Sequence, residues 1–322
     1  MRAILVGNYG VGNLGDEALR DYFLAAFPEV QWTVLSAHAR GAELPRLPFG
    51  LRSVVSTPWW KTVRAIRQSD AMVFGGGSLF TDVESVRACF LWGMHAAVAQ
   101  FFRKPISLAF QGFGPVHSRA GKWIAKWILA KASFVSVRDK ESAVRIAEIY
   151  KNKKVVQSAD PVLINMYNSH SGSTKNVINV IPRRNSSSEL FSVLQYEIQN
   201  NPDATVCVVS MQPDDAAEQA ACEALNKRFP QAGILPVRSL PALLVVLRDA
   251  KLVITERYHG ALAALALGKQ LKIIHQGQGD KHQALAWLVE QEGIERARQQ
   301  LLADAKTGEE ALRSALMALA LH

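Results

Sequence analysis

The first half of the chain alternates short apolar runs with longer segments in which apolar residues recur every three or four positions. Short apolar runs are typical of buried strands, and the three-to-four spacing is typical of helices that pack on one face. Strand-like runs lie at 2–6, 32–36, 52–56, 71–75, 105–110, 134–137 and 154–159, and helical patterns fill 16–27, 59–68, 86–102, 119–131 and 139–149. Strands separated by helices predict βαβ units and a parallel sheet covered on both faces.

A polar segment without helical or strand periodicity, MYNSHSGSTKN at 166–176, interrupts this pattern and predicts a linker. The alternation then resumes, with strands at 176–181, 205–210, 234–237, 252–255 and 271–275, and helices at 187–200, 213–228, 240–250, 259–267 and 281–292.

The resulting prediction is an α/β protein of two Rossmann-like domains, 1–165 and 176–293, whose parallel sheets face each other across a cleft. In such sheets ligands bind beyond the carboxyl ends of the strands. The remaining residues, 294–322, are predicted to form a helical tail that packs back on the first domain, because their leucines share one helical face.

Composition narrows the class of protein. A length of 322 residues suits two domains. The three cysteines form no CxxC pair, which argues against a zinc ribbon or a disulfide framework and predicts a reducing, cytoplasmic location. No apolar run reaches the roughly 18–20 residues that span a bilayer.

The net charge of +9 predicts an anionic partner or simply a soluble surface. Two segments, PWWKTVRAIR at 58–67 and KWIAKWILAKASF at 122–134, combine Trp with Lys or Arg at helical spacing. Such helices are typical of proteins that lie on the inner face of an anionic membrane, and the alternative is a core helix with a solvated basic face. Nucleic acid is not expected as a partner, because the basic residues form no recognisable binding module.

The glycine-rich stretch GNYGVGNLGDE at 7–17 follows the first strand and opens a helix. Gly10, Gly12 and Gly15 fit the GxGxxG spacing of dinucleotide-binding loops. However, the end of the second strand reads LSAHARG and lacks the acidic residue that would bind a ribose, and Asp16 and Glu17 would repel a pyrophosphate. The loop is therefore predicted to bind neutral hydroxyl groups or to buttress the cleft.

Three further strand ends in the first half carry candidate residues. Gly76, Gly77 and Ser78 lie in VFGGGSLF, which could hold a phosphate or a sugar, or could be a tight packing turn. Gln111 in QGFG suits carbohydrate, while Phe113, two residues later, equally suits the core. The third strand end, SVRDKES, is interpreted as a local Arg138–Asp139 ion pair that caps a helix.

The second half of the chain carries the more specific candidates for anion binding and proton transfer. Arg183 and Arg184 follow its first strand, and planar guanidinium groups bind carboxylate or phosphate in a bidentate way. Arg257 and His259 in TERYHG precede an apolar helix, so they predict an anion site with a proton donor beside it. A lone histidine is more often structural, but the arginine before it and the glycine after it favour function. Lys281 adds a further cation in another βα loop.

Taken in order, these stretches resemble the polysaccharide pyruvyl transferase family. The matching segments are GNYGVGNLGDEAL, VFGGGSLF, QGFGPV, SVRDKES, SADPVL, RYHGALAALALG and the Lys281 loop, and they cover most of residues 1–285. The resemblance implies an architecture like that of GT-B glycosyltransferases. It also implies transfer of a pyruvyl group from phosphoenolpyruvate to a sugar as a cyclic ketal, with release of phosphate.

The resemblance also implies roles for the residues. Arg257 and His259 match the family's Arg–x–His motif for donor binding and acid catalysis, and either Arg183 or Arg184 matches a further arginine. Lys281 would lie near the phosphate. The first half would bind the acceptor, and Asp16 would orient or deprotonate a sugar hydroxyl. The acceptor-binding set is Asn13, Gly15, Gly76, Gly77, Ser78 and Gln111. Phosphoenolpyruvate serves as co-substrate, and neither a cofactor nor a metal is expected.

The family acts on cell-wall polymers or exopolysaccharide precursors, often linked to a polyprenyl lipid. Three other interpretations stay open. A GT-B glycosyltransferase would use a nucleotide sugar, and a non-catalytic sugar-binding protein would retain the fold. An NAD-dependent oxidoreductase is disfavoured because neither half has a convincing acid for the ribose.

Overall fold

A computed structural model describes residues 1–49, 53, 55, 57–83, 85–167, 174–275 and 281–320, with only the backbone of Lys281. The strand expected at 52–56 falls mostly outside this range. Its two described residues, Ser53 and Val55, are helical, so the prediction of a strand is wrong there. Part of the linker expected at 166–176 also lies outside the described residues.

The first sheet contains seven parallel strands. They are β1 (Arg2–Val6), β2 (Gln31–Ser36), β3 (Leu44–Pro45), β4 (Ala71–Gly75), β5 (Ile106–Gln111), β6 (Ala132–Val137) and β7 (Val156–Gln157). Their order is β3-β2-β1-β4-β5-β6-β7. Val6 of β1 is paired with Leu35 on one side and Phe74 on the other, so these central strands end at one edge of the sheet.

The helices that lie between these strands in sequence are α1 (Leu14–Ala26), α2 (Trp59–Gln68), α3 (Val86–Phe101), α4 (Arg119–Lys131) and α5 (Lys140–Ile149), and α6 (Val162–Tyr167) follows β7. Side-chain caps set where several of them begin. Ser85, Ser118 and Asp139 each accept a hydrogen bond from a backbone N–H of the following first turn. The core between helices and sheet is built from aliphatic and aromatic side chains such as Phe74 and Ile128.

The second sheet contains five parallel strands: β8 (Val177–Ile181), β9 (Thr205–Ser210), β10 (Gly233–Pro236), β11 (Leu252–Thr255) and β12 (Gln270–Ile273). Their order is β10-β9-β8-β11-β12. The helices here are α7 (Ser188–Asn200), α8 (Ala216–Arg228), α9 (Leu240–Leu247) and α10 (Tyr258–Ala266). Every residue of α10 is buried, which explains its unbroken apolar sequence.

The chain ends in α11 (Lys281–Ala320), which is interrupted at Gly293. Gly293 has φ 75°, a left-handed conformation that glycine adopts without steric cost. This residue stands one position after the helix predicted at 281–292.

The chain divides into two compact units. The first unit comprises Met1–Val11, Leu19–Pro161 and Asp304–His322, and the second comprises Gly12–Ala18 and Val162–Ala303. The end of α11 is held within the first unit, where Tyr22 Oη donates a 2.6 Å hydrogen bond to Glu309 and Arg313 donates to the Ala26 carbonyl.

The prediction of two α/β units with parallel sheets is confirmed. None of the helices in the described part of the chain combines the length and the apolar composition that a membrane span requires.

Candidate functional site

Two adjacent strands of the second unit bring the predicted arginines together. Thr255, the last residue of β11, pairs with Ile181, the last residue of β8. The segments that follow these strands therefore lie side by side and carry Arg183, Arg184 and Arg257.

A buried carboxylate ties these two segments to each other. Glu256 is 1% exposed and accepts hydrogen bonds from the Arg183 backbone N–H at 3.1 Å and from both hydroxyls of Ser186 and Ser187 at 2.8 Å. It also accepts from the Ser187 backbone N–H at 2.8 Å. Hydrogen bonds to a carboxylate are stronger than those between neutral groups, so Glu256 holds the arginine-bearing loop against the end of β11.

Arg257 is positioned by a second buried carboxylate. Its guanidinium forms an ion pair with Glu218, which is fully buried, and donates a 2.6 Å hydrogen bond to Gln212 Oε1. Glu218 in turn accepts from Ser210 Oγ at 2.9 Å and from the Gln212 backbone N–H at 2.6 Å. The guanidinium is thus held in one orientation by groups at the end of β9 and the start of α8.

The charges around Arg257 show that the three arginines form a cluster. Burial first, and then the positive charges of Arg183 and Arg184, lower the pKa of Arg257 to about 10. Asp215 and Asp16 act in the opposite direction. Arg257 stays protonated at neutral pH, and the concentration of like charge favours an anion with more than one negative group.

His259 lies in the first turn of α10, two residues after Arg257. Its side chain is 9% exposed, and its ring packs edge-on against Tyr258 with centroids 5.6 Å apart. Tyr258 packs in the same way against His282, at 6.0 Å. The imidazole is therefore held in a defined position beside the arginine cluster at a helix N-terminus.

Gly15 lies directly against His259. A Cβ atom added at Gly15 would overlap the imidazole ring, so this position admits only glycine without a shift of the ring or of the helix. The contact explains the last glycine of the GxGxxG spacing without any phosphate.

The residues at the acidic start of α1 belong to the same compact unit as His259 and the arginines. Asn13 Oδ1 accepts from the Gly15 backbone N–H at 3.2 Å, and Asn13 Nδ2 donates to Asp16 at 2.8 Å. Asp16 is 8% exposed and close enough to Arg257 to affect its pKa. Asn13, Gly15 and Asp16, which the sequence assigned to the first half, thus belong with the arginines in the second unit.

In the first unit, the strand end after β1 is filled by the protein itself. Tyr9 is 1% exposed and its hydroxyl donates a 2.7 Å hydrogen bond to the Gly75 carbonyl. A Cβ at Gly7 or Gly75 would overlap the Tyr9 ring or its hydroxyl. These two glycines therefore make room for a tyrosine.

The remaining predicted acceptor residues lie in this first unit. Gly76 and Gly77 both have φ 79°, and Ser78 is exposed and accepts a 3.1 Å hydrogen bond from Arg138 Nη2. Gln111 is fully buried, and its Nε2 donates to the backbone carbonyls of Phe74, at 2.9 Å, and Ala109, at 3.1 Å. The amide of Gln111 thus joins β4 to β5.

The prediction that Arg138 in SVRDKES forms a local ion pair with Asp139 is wrong. Arg138 pairs with Asp160 at 2.7 Å, and neither side chain is more than 1% exposed. Asp139 instead caps α5 by accepting from the Ser142 backbone N–H at 2.7 Å. Burial selects Asp160, because a buried guanidinium requires a buried opposite charge.

The side chain of Lys281 lies outside the described residues, so its predicted place near the phosphate stays a prediction. Sequence reasoning missed Glu218, Gln212 and the bracing role of Glu256. Only a weak local signal pointed to Glu218: it stands three residues after the helix cap Asp215, just beyond a strand end.

Comparison with solved structures shows the fold. Anabaena HepE in complex with UDP and glucose is 13% identical, with a TM-score of 0.61 over 99% of this chain and 100% of its own. Staphylococcus aureus MnaA with UDP is 11% identical, with a TM-score of 0.60 over 100% and 98%. The UDP-GlcNAc 2-epimerase of Neisseria meningitidis, bound to UDP-GlcNAc, is 10% identical, with a TM-score of 0.58 over 98% and 100%.

These structures are GT-B-like glycosyltransferases and epimerases, so they confirm the predicted fold class. A search of curated protein sequences found no significant match. The family profile described as "Polysaccharide pyruvyl transferase" matches residues 13–271, a span that contains the arginine cluster, His259 and Asp16. The chain therefore belongs to the polysaccharide pyruvyl transferase family.

Proposed function

We propose that this protein transfers a pyruvyl group from phosphoenolpyruvate to a sugar of a cell-wall or exopolysaccharide precursor, forming a cyclic ketal and releasing phosphate. Family membership supports a transferase of polysaccharide biosynthesis. The observation that carries the finer proposal is the cluster of Arg183, Arg184 and Arg257 with His259 held beside it.

The cluster suits the charge of phosphoenolpyruvate, which has a carboxylate and a phosphate attached to one carbon. Arg257 is fixed by Glu218 and Gln212, and the backbone of Arg183 is fixed by Glu256. Two guanidinium groups on separate loops can each bind one anionic end in a bidentate way. Lys281 is proposed to add charge near the phosphate.

His259 is proposed to act as the general acid. It delivers a proton to the methylene carbon, which becomes the methyl group and leaves an oxocarbenium-like centre at the adjacent carbon. A sugar hydroxyl attacks that centre. The bond between the same carbon and the phosphate oxygen then breaks, and a second sugar hydroxyl attacks this carbon to close the ketal ring. The two hydroxyl protons balance the step: one replaces the proton that His259 gave, and the other leaves on hydrogenphosphate.

Asp16 is proposed to receive the proton of the attacking hydroxyl and to pass it to the departing phosphate, which leaves as hydrogenphosphate. Asn13 Nδ2 donates a hydrogen bond that orients the Asp16 carboxylate, and the negative charge of Asp16 acts to raise the pKa of Arg257. The further acceptor contacts at Gly76, Gly77, Ser78 and Gln111 stay predictions, as does an acceptor linked to a polyprenyl pyrophosphate at the inner face of the membrane.

A nucleotide-sugar glycosyltransferase is the second candidate, because the solved structures named above contain UDP or UDP-GlcNAc. The same arginine cluster would then bind a diphosphate. Thermal unfolding with phosphoenolpyruvate, UDP-sugars and NAD separates the two, since a ligand that binds the folded state raises the melting temperature. We expect a rise with phosphoenolpyruvate, and a rise with a UDP-sugar alone would overturn the proposal.

The chemistry is tested by phosphate release with candidate acceptors, comparing the wild type with His259→Ala. We expect retained stabilisation by phosphoenolpyruvate and a loss of rate of about 10²- to 10⁴-fold, the usual contribution of a general acid. His117→Ala is the matched control, because His117 is an exposed histidine of the first unit. Equal rates for His259→Ala and the wild type would remove His259 from this role.

A further inference from the structure

Three neighbouring helices of the first unit carry no acidic residue. The helices α2, α3 and α4 contain no Asp or Glu, whereas they contain eight Lys or Arg residues: Lys61, Arg64, Arg67, Arg87, Arg119, Lys122, Lys126 and Lys131. α3 packs against both α2 and α4. Most of the chain's excess positive charge, +9 in all, is therefore concentrated on one set of packed helices.

The central helix of this set exposes an apolar stripe. Phe90, Ala97 and Phe101 are exposed and spaced to share one face of α3, and Phe101 is 80% exposed. The opposite face, with Cys89 and Trp92, is buried in the core. A contiguous exposed apolar patch is typical of a surface that contacts another protein or a membrane.

The two flanking helices expose tryptophan beside cations. Trp60 on α2 is 57% exposed, and Trp123 on α4 is 69% exposed. Lys122 and Lys126 are exposed on the same stretch of α4 as Trp123. Tryptophan and lysine together are typical of the membrane interface, where the indole sits at the headgroups and the ammonium group stays hydrated.

We infer that the exposed faces of α2, α3 and α4 form a docking surface for an anionic lipid bilayer. The charge of the face is complementary to anionic headgroups, and the phenylalanine stripe gains free energy only where an apolar layer can receive it. The stripe argues against a duplex nucleic-acid site, whose phosphates would be met by cations along the whole surface. Single-stranded nucleic acid, which also stacks on aromatic side chains, is an outcome of the test.

The inference deepens the proposed function and rests on it in one respect: an acceptor carried by a lipid would be reached from such a surface. The binding itself involves none of the residues assigned to the chemistry. Vesicle binding and stabilisation by phosphoenolpyruvate can therefore fail separately.

The test is vesicle flotation of the purified chain at low salt, with phosphatidylglycerol–phosphatidylcholine vesicles and with phosphatidylcholine alone. We expect binding to the anionic vesicles only, decreasing as salt rises. The variants are Phe90→Ser with Phe101→Ser, and Lys122→Glu with Lys126→Glu. Each pair should lower the vesicle-bound to free ratio at least tenfold. The control is Trp287→Ser with Lys227→Glu, because both are exposed residues of the second unit.

Three results would overturn the inference: equal binding to neutral vesicles, unchanged binding of the variants, or binding to a single-stranded RNA homopolymer in place of vesicles. A variant-sensitive dimer in sedimentation, without vesicle binding, would assign the face to a second copy of the chain. If phosphoenolpyruvate stabilises the protein while vesicles do not bind, only the surface is wrong. If vesicles bind while phosphoenolpyruvate has no effect, the proposed function falls and the surface stands.

Discussion

The strand ends of the two units have the same topology but opposite contents. In the first unit, Tyr9 and Gln111 fill the space beyond the central strands and satisfy backbone carbonyls. In the second unit, Arg183, Arg184 and Arg257 gather there instead. The difference shows that a glycine-rich strand end can be filled by the protein's own side chains.

Each unit also contains an arginine paired with a buried carboxylate. Arg138 pairs with Asp160, and its side chain is 1% exposed. Arg257 pairs with Glu218, but its side chain is 14% exposed and it has two neighbouring arginines. Partial access to solvent, rather than the ion pair itself, distinguishes the candidate binding arginine from the structural one.

The largest effect is expected when these two arginines are replaced in parallel. Arg138→Met and Arg257→Met each leave a buried carboxylate unpaired, and each should lower the free energy of unfolding by about 3 to 5 kcal/mol. Only Arg257→Met should weaken phosphoenolpyruvate binding, by about 10- to 150-fold, the value of a hydrogen bond to a charged group. Chemical denaturation and titration calorimetry measure the two quantities.

Arg296→Met is the control for this pair, since Arg296 is exposed on α11. If Arg138→Met weakened phosphoenolpyruvate binding as much as Arg257→Met, the contrast between the units would be lost.

The next effect concerns the contact of Gly15 with His259. Gly15→Ala places a methyl group where the imidazole lies, so the ring must move. A displacement of about 1 Å in a catalytic group can cost about 100-fold in rate, and we expect such a fall in phosphate release. Gly233→Ala serves as control, because a Cβ there would meet no atom within 4 Å. Wild-type rates for Gly15→Ala would show that His259 needs no fixed position.

The third prediction is a loss of folding stability at acidic pH, which arises from a buried histidine of the first unit. His95 is fully buried, accepts from the Leu47 backbone N–H at 3.0 Å, and contacts the Leu91 carbonyl at 2.8 Å. Burial lowers its pKa to about 4, with a smaller contribution from the Arg46 charge. The unfolded chain binds the proton more tightly, near pH 6.5.

The direction in which stability changes with pH follows from this difference between the folded and unfolded pKa values of His95. The stabilisation is complete above the unfolded pKa and is lost as the pH falls toward 4, so unfolding should become easier by about 2 kcal/mol between pH 7 and pH 5. Denaturation at several pH values measures the slope, and His95→Asn should flatten it. An unchanged slope in that variant would place the acid sensitivity elsewhere.

The smallest effect is expected for Tyr9→Phe, which removes the hydrogen bond to the Gly75 carbonyl. We expect a loss of about 1 kcal/mol in the free energy of unfolding and unchanged phosphoenolpyruvate affinity. Tyr196→Phe, at a side chain that is 60% exposed, is the control and should leave the stability unchanged. A change in affinity for Tyr9→Phe would show that the strand end around Gly7 and Gly75 takes part in binding.

Much of the fold was predictable because its signals are local. The strands at 71–75, 205–210 and 252–255 and the helices at 59–68 and 119–131 have the predicted bounds. The start of α8 was predicted too early, because a helix cap outweighed the apolar pattern there. Thus Asp215 delays the start of α8 to Ala216 by capping it there, three residues after the predicted start.

The candidate site was predictable only in part. Arg183, Arg257 and His259 stand out because their chemistry and their place at a strand end coincide in the sequence. Glu218 and Gln212 do not, since they lie 39 and 45 residues before Arg257 and become its neighbours only through the pairing of β9 with β8 and of β8 with β11.

The sequence by itself determined the alternation of strands and helices, the family, and the residue types able to bind an anion and deliver a proton. Periodicity, glycine and charge are properties of neighbouring residues, so they can be read along the chain. Only the tertiary structure decided which groups serve the arginines and which serve the fold. It paired Arg138 with Asp160, placed Tyr9 in its own glycine loop and set Gly15 against His259, because burial forces each polar group to find its partner wherever the packed chain provides one.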